Sequence, residues 1–390
     1  MKTVCQRDMC TGCMACVEMC PVKAISVKDS LKAYNAIINV EECINCNLCN
    51  KICQINQQVI FASPVEWYQG WALDESIRRA GSSGGVASEL ARKFVASGGI
   101  VCTCVYRNGE FTFRLIKTQQ DISMIAGSKY VKSNPFGMYK QIKKLLTKNI
   151  KVLFIGLPCQ VAGLKKVIGT KLEEQLTTVD LICHGTPSPQ ILKLYLEQYE
   201  KSPQNIKNIK FREKNNFLLA RANVTDEMYR PVNGKKEMDK YSIAFLNRAC
   251  YTENCYTCQY AKLERVSDIT LGDSWGSELD NAEKSKGISL ILCQSSKGLD
   301  LIKDCNIKLL DVDINKAVEK NHQLHSPALM PRNRNIFLEK LQEGKNFNNL
   351  VWRYFTINCV KQKVKKYLIK LHLIGGGGVT YRISLDNNIH

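Results

Sequence analysis

The sequence has no apolar run long enough to cross a bilayer. Its longest, such as VLFIG and ISLILC, cover only a few residues, against about 20 for a spanning helix. Histidine is scarce, five in 390 residues, and none precedes His184. Mixed cysteine–histidine metal sites are therefore excluded from the first 183 positions. The opening MKTVCQRDMC lacks the apolar core of a secretory signal. The expectation is a cytoplasmic chain whose cysteines are reduced or metal-bound. No G-x-G-x-x-G fingerprint and no nucleic-acid motif occur, so nucleic acid is not an expected partner. Acidic residues are few beside basic ones, 36 against 55, for a formal charge of +19. Residues 1–60 are nearly balanced, and the excess lies further along, especially in the last fifty. A basic balance suits acidic partners, an anionic cofactor or a membrane surface.

What is abundant is cysteine, nineteen in all. Eight fall in two runs of C-x2-C-x2-C-x3-C. The first is Cys10, Cys13, Cys16 and Cys20, closed by Pro21; the second is Cys43, Cys46, Cys49 and Cys53. Three thiolates at this spacing let a short loop curl round three corners of a cubane [4Fe–4S] cluster. In two-cluster ferredoxins the fourth cysteine serves the other cluster. The expected sets are Cys10, Cys13, Cys16 with Cys53, and Cys43, Cys46, Cys49 with Cys20. A zinc site would use paired C-x2-C units and four ligands, often with His. A disulfide framework would need a secreted chain. Two complete runs favour clusters over both. Cys5 lies outside the pattern and reads as a bystander.

At 390 residues and 45% hydrophobic content, two or three packed domains are expected. The expected class is α+β. Residues 1–58 form a ferredoxin-like module, followed by segments 66–148 and 149–330 and a basic helical tail, 331–390. Residues 60–70, with Pro64, read as a linker. A Gly/Ser turn at 80–85 opens a helix through Val86, Leu90, Phe94 and Val95, which Gly98-Gly99 stops. Strands at 100–106 and 111–116 flank a turn and close a small unit near residue 117. A helix at 139–146, strands at 152–155 and 179–182, and a helix capped by Ser188-Pro189 and running to Tyr199 follow. Strands near Ile209, Ala222 and Leu290 and a helix near Leu299 complete an α/β pattern. In the tail, Val360, Val364, Tyr367, Leu368 and Leu371 share one face of a helix. Lys361, Lys363, Lys365, Lys366 and Lys370 fill the rest. That face either packs on the body or docks on an anionic membrane or partner. The run Gly375–Gly378 ends it.

Several constellations carry chemistry. Cys159 and Cys183 each follow a strand, and Cys255 and Cys258 form a C-x2-C pair. Convergent, these four suit a third cubane; scattered, they are core residues. Cys250 competes for one ligand position, while Cys102, Cys104, Cys293, Cys305 and Cys359 sit in apolar surroundings. The turn at Ser82, Ser83, Gly84 and Gly85 offers either a phosphate seat at a helix N-terminus or a plain N-cap. Residues 267–276, SDITLGDSWG, are a strand and turn, or a close approach to a planar or charged group. Asp273 there and His184, a proton donor or a turn residue, are the catalytic candidates.

Together these residues resemble a known family. GSKYV at 127–131, GLPCQVAGL at 156–164, DLICHG at 180–185, CYTCQYA at 255–261 and the 267–276 stretch are similar to the beta subunit of coenzyme F420-reducing hydrogenases and dehydrogenases. The N-terminal module resembles bacterial two-cluster ferredoxins. The resemblance implies an FAD-binding catalytic region with its own [4Fe–4S] cluster on Cys159, Cys183, Cys255 and Cys258. It implies that Ser82, Ser83, Gly84, Gly85 and Lys129 contact the FAD. The implied function is an iron–sulfur flavoprotein oxidoreductase, with a redox partner protein or ferredoxin and a small two-electron organic substrate. A deazaflavin or a glycan precursor, the latter from relatives beside polysaccharide-building enzymes, are the expected substrates. The alternative is a non-catalytic electron-transfer subunit of a larger complex.

Overall fold

The computed structural model describes residues 2–371 apart from 200–205, 207–208, 213, 215–221, 225–226 and 230–237. The N-terminal module is ferredoxin-like. Strands β1 (Lys2–Thr3), β2 (Ile25–Asp29) and β3 (Tyr34–Ile38) form an antiparallel sheet with β3 in the middle. Short helices Ala15–Met19 and Leu48–Lys51 hold the third cysteine of each run. The two cysteine loops repeat one backbone pattern. Gly12 and Asn45, each two positions after the first cysteine, have φ of +68° and +52°; Met14 and Asn47, two further on, have +64° and +58°. These left-handed steps make each loop curl. A side chain at Gly12 is also barred by space, since a Cβ there would lie 2.5 Å from the Tyr34 ring.

The body is built on one sheet. Its strands are β4 (Glu66–Ala72), β5 (Ile100–Arg107), β6 (Glu110–Ile116), β7 (Val152–Gly156) and β8 (Leu176–Leu181). After a separate hairpin, β9 (Ala222–Val224) with β10 (Glu227–Tyr229), come β11 (Ile269–Asp273), β12 (Ser289–Cys293) and β13 (Ile307–Leu310). The order is β13-β4-β12-β11-β8-β7-β5-β6. Strands β5, β7, β8 and β11 run parallel; β6 and β12 flank them antiparallel. Continuous apolar runs belong in such a centre because both faces are covered, and every residue of β7 and of β12 is buried.

Four expectations are corrected here. Residues 66–72 are a strand between β12 and β13, not linker. The local sequence EWYQGWA is ambiguous, and pairing across more than 200 residues decides it. Gly70 is required there, because a Cβ would meet the Lys308 carbonyl oxygen at 2.1 Å. Nor does the hairpin β5–β6 close a unit near residue 117, because β5 pairs directly with β7. Segments 66–148 and 149–330 thus share one sheet. Ile209 is buried but lies in no strand, and the helix capped by Ser188 ends at Glu197.

The ferredoxin-like module is joined to this body by buried polar contacts. Glu18, from its first helix, accepts hydrogen bonds from the backbone N–H groups of Gly137 (3.0 Å), Tyr139 (3.3 Å) and Lys140 (2.5 Å). A carboxylate thereby caps the helix Met138–Leu146 at its positive end. Cys13 and Ala15 pack into the same core as Tyr139, Phe154 and Val161. On the other side Arg334, fully buried, donates to the Lys32 carbonyl at 2.7 Å and pairs with Glu253 at 2.7 Å.

The tail forms helices Arg334–Gln342, Phe347–Tyr354 and Thr356–Lys370. The expected apolar stripe does not pack on the body. Val360, Val364, Tyr367 and Leu371 are exposed, and Phe355, Cys359 and Gln362 make the buried contact instead. The run Gly375–Gly378 lies outside the described residues. Among these, no helix is long and apolar enough to cross a membrane.

Candidate metal centre

Cys10, Cys13, Cys16 and Cys53 line one small cavity, as the crossed ligand pattern requires. All four are buried. A fifth thiol shares that wall. Cys5, read from sequence as a bystander, is buried there beside Cys10 and Cys53. The neighbouring Cys5 thiol is the main reason Cys10 falls to about 7 and Cys53 to about 6, which favours the thiolate forms that ligate metal. Burial pushes Cys13 up to about 12. Nothing in the local spacing could have found Cys5; β1 brings it in by pairing with β3.

The second run stands differently. Cys46 is exposed, and Cys20, Cys43 and Cys49 are only half-buried. Cys20, Cys43 and Cys49 pack against the module's small core, which also holds Cys16 and Cys53.

The late cysteines converge. Cys159, Cys183, Cys255 and Cys258 line a cavity of about 230 Å³, with His184, Lys132 and Arg265. Cys159 sits in the first turn of the helix Pro158–Ile168, just past β7. Cys183 follows the end of β8. Cys255 and Cys258 come from a loop fixed by Arg265, which donates to the Tyr260 carbonyl at 2.6 Å and pairs with fully buried Asp180 at 2.9 Å. Burial, the largest cause in each case, raises Cys183 to about 12 and Cys258 to about 11. Cys250 is not on this cavity; it is fully buried in the aromatic core with Tyr241, Phe245 and Tyr251. Among the described residues no three His, Cys, Asp or Glu gather closely enough to hold a single metal ion. Thiols spread round a cavity suit a cluster, whose corners stand apart.

The two cavities share a wall. Thr11 and Ile55 line both. Cys13 abuts the helix that begins beside Cys159, since a Cβ on Gly163 would lie 3.1 Å from both Cys13 Cβ and Sγ.

Asp273, His184 and the Gly/Ser turn meet at the carboxyl end of the parallel strands, where open α/β sheets place ligands. Asp273 ends β11 and is held by two bonds from Arg212, at 2.5 and 2.9 Å. Arg212 lies 5.7 Å over Trp275. His184 lines the cavity and is itself exposed. Desolvation by the surrounding protein, more than the nearby Asp273 and Arg212, draws its pKa below the ordinary histidine value. The turn's groups are engaged. Ser82 Oγ accepts from Ser128 N–H, Ser83 Oγ donates to the Ile288 carbonyl, and Gly84 N–H donates to Ser289 Oγ. Lys129 turns onto the carbonyls of Ile125 (2.7 Å) and Ala126. The cation beside the turn is Lys214, whose ammonium contacts the carbonyls of Arg78 and Ser83. Burial, then Arg78 and Arg212, lowers it to about 8. Sequence reasoning missed Arg212 and Lys214, which sit in no recognisable motif.

Comparisons with known proteins place the chain in a family. Residues 150–313 match the C-terminal part, and residues 67–138 the N-terminal part, of the family described as the Coenzyme F420 hydrogenase/dehydrogenase beta subunit. Residues 9–59 match the 4Fe-4S dicluster domain. The F subunit of F(420)H(2) dehydrogenase from Methanosarcina mazei is 21% identical over 294 residues, 70% of this chain and 79% of that protein. A chain of the F420-reducing [NiFe] hydrogenase complex from Methanosarcina barkeri is 18% identical, covering 74% of this chain and 97% of that one at a TM-score of 0.46. With both halves of one family matched behind a dicluster module, the chain belongs to the family of coenzyme F420 hydrogenase/dehydrogenase beta subunits, fused to an N-terminal two-cluster ferredoxin domain.

Proposed function

We propose that this chain is an iron–sulfur flavoprotein oxidoreductase in which three cysteine sets lead from the surface to a two-electron site at the carboxyl end of the large sheet. The observation that carries this reading is the shared wall of the two cavities, Thr11 and Ile55. It supports Cys159, Cys183, Cys255 and Cys258 as ligands of a third cluster. Bound cubanes supply one-electron transfer, and a flavin converts between one and two electrons. The cations Arg78, Arg212 and Lys214 around the Ser82–Gly85 turn favour an anionic cofactor such as FAD. Beside the expected contacts Ser82, Ser83, Gly84, Gly85 and Lys129, these three cations supply positive charge at the turn. Asp273 holds Arg212 in place, and His184 presents its imidazole between that pair and the late cysteines.

The substrate we propose is a small two-electron organic molecule. The deazaflavin coenzyme named in the relatives' descriptions is one choice and a glycan precursor another. Anaerobic purification with iron, sulfide and flavin quantitation tests the reading. About twelve irons and one FAD per chain support it. About eight irons remove the third cluster, and absence of flavin removes the flavoprotein assignment. In that case the chain is an electron-transfer subunit serving a partner's active site.

A second reading concerns the tail. Exposed Ile357, Val360, Val364, Tyr367 and Leu371 on a lysine-rich helix favour contact with an anionic membrane surface. Liposome binding that is unchanged by deletion from Val360 onward removes it.

A further inference from the structure

Lys132 lies between the two cysteine cavities. Only 4% of its surface is exposed. Its backbone N–H donates to the Pro187 carbonyl at 2.8 Å, which fixes the segment beside the Cys183 loop. Its ammonium donates to the Thr11 carbonyl at 3.1 Å, within the first cysteine loop, and rides 5.2 Å over the Tyr34 ring. The same side chain lines the cavity of Cys159, Cys183, Cys255 and Cys258. Among the described residues it makes no ion pair with a carboxylate. Nearby Asp29 is instead engaged by the Ser188 hydroxyl and Leu31 N–H.

An ammonium in such a place is costly unless negative charge compensates it. Cysteine sets that would carry negative charge once they hold a cluster flank it on both sides: the Cys10 loop, through Thr11, and the cavity of Cys159, Cys183, Cys255 and Cys258.

We propose that Lys132 is a shared counter-charge that sets the reduction potentials of the first ferredoxin cluster and the late-cysteine cluster together; this rests on the three-cluster reading above. Each one-electron reduction adds a negative charge to a cluster, and a fixed ammonium beside it favours the reduced state. When an electron passes from one set to the other, one cluster is oxidised and its neighbour reduced. Lys132, held by the Thr11 carbonyl, stays beside the charge throughout. Lys132 is a positioning charge rather than a catalytic group.

The test is a redox titration of the whole chain, followed by the paramagnetic resonance of each reduced cluster. Lys132→Met removes charge and donor, Lys132→Gln removes charge but keeps a donor for Thr11, and Lys132→Arg keeps the charge. In Lys132→Met and Lys132→Gln, the reduced-to-oxidised ratio at a fixed potential falls about tenfold for the first and late clusters. That is about 59 mV for a one-electron couple. The cluster of the exposed second run and the Lys132→Arg protein stay as in the wild type. Unchanged potentials in Lys132→Gln, or a fall at one of the two clusters alone, overturn the proposal. If Lys132→Met loses iron, Lys132→Gln decides. A wild-type chain with about eight irons overturns the three-cluster reading itself, a result distinct from a full iron complement with potentials that do not move.

Discussion

The two cysteine runs have the same spacing and the same left-handed backbone steps, yet one is interior and the other faces solvent. The first run's set, Cys10, Cys13, Cys16 and Cys53, is buried, has Cys5 on its wall, and abuts the helix Pro158–Ile168. The second run leaves Cys46 exposed and touches no late cysteine cavity. Cluster potentials respond to solvent exposure, nearby charge and hydrogen bonds to sulfur, so identical ligand spacing does not mean identical redox behaviour. The difference is one of layout: the second run faces solvent, and the first abuts the body.

Six variants break or sharpen that contrast. The largest effect is expected at the ligands. Cys46→Ser should cost about four irons per chain and leave the melting of the body nearly unchanged. Cys13→Ser should cost the same iron and also lower the melting temperature, because Cys13 packs in the body's core. Equal melting of the two, by calorimetry under anaerobic conditions, would break the contrast.

Next comes the joint. Glu18→Ala strips three backbone N–H groups of their acceptor and should destabilise the chain by about 1.5–3 kcal/mol in denaturant unfolding. Glu41→Ala, at an exposed position near the second run, should stay within about 0.5 kcal/mol. If both variants unfold like the wild type, Glu18 is not what fixes the module.

Gly163→Ala should cost about 1 kcal/mol by overpacking against Cys13. It should also perturb the spectrum of the first cluster without touching the second. A wild-type spectrum and midpoint would show that the helix has room to retreat. The smallest effect is expected at Cys5→Ala: iron content unchanged, and a small shift in the first cluster's potential, because Cys5 lines its cavity. Loss of iron would instead make Cys5 a ligand.

Much of this was legible in the sequence. The eight N-terminal cysteines were, because a cubane-wrapping loop is local and its spacing is written in consecutive residues. The helix at Val86–Ala96 and the strands β5 to β8 were too, since their apolar periodicity is local. Cys159, Cys183, Cys255 and Cys258 were visible as a set through the family motifs, whereas spacing alone left Cys250 in competition. Strand β4 was not legible, since its pairing partners lie more than 200 residues away. At the Gly/Ser turn, the engagement of Gly84 N–H by Ser289 was not legible either, because such a partner is a matter of packing, not of sequence neighbours.

The sequence by itself determined the chemistry: which thiols exist, how they are spaced, and so what kind of metal group they can wrap. Only the tertiary structure decided the arrangement. It turned the first run inward and left the second outside, brought Cys5 to the first cavity, and set Lys132 against Thr11 across 121 residues. Ligand reach is a property of a short loop. Burial and charge environment are set by surfaces that meet only when distant segments pack.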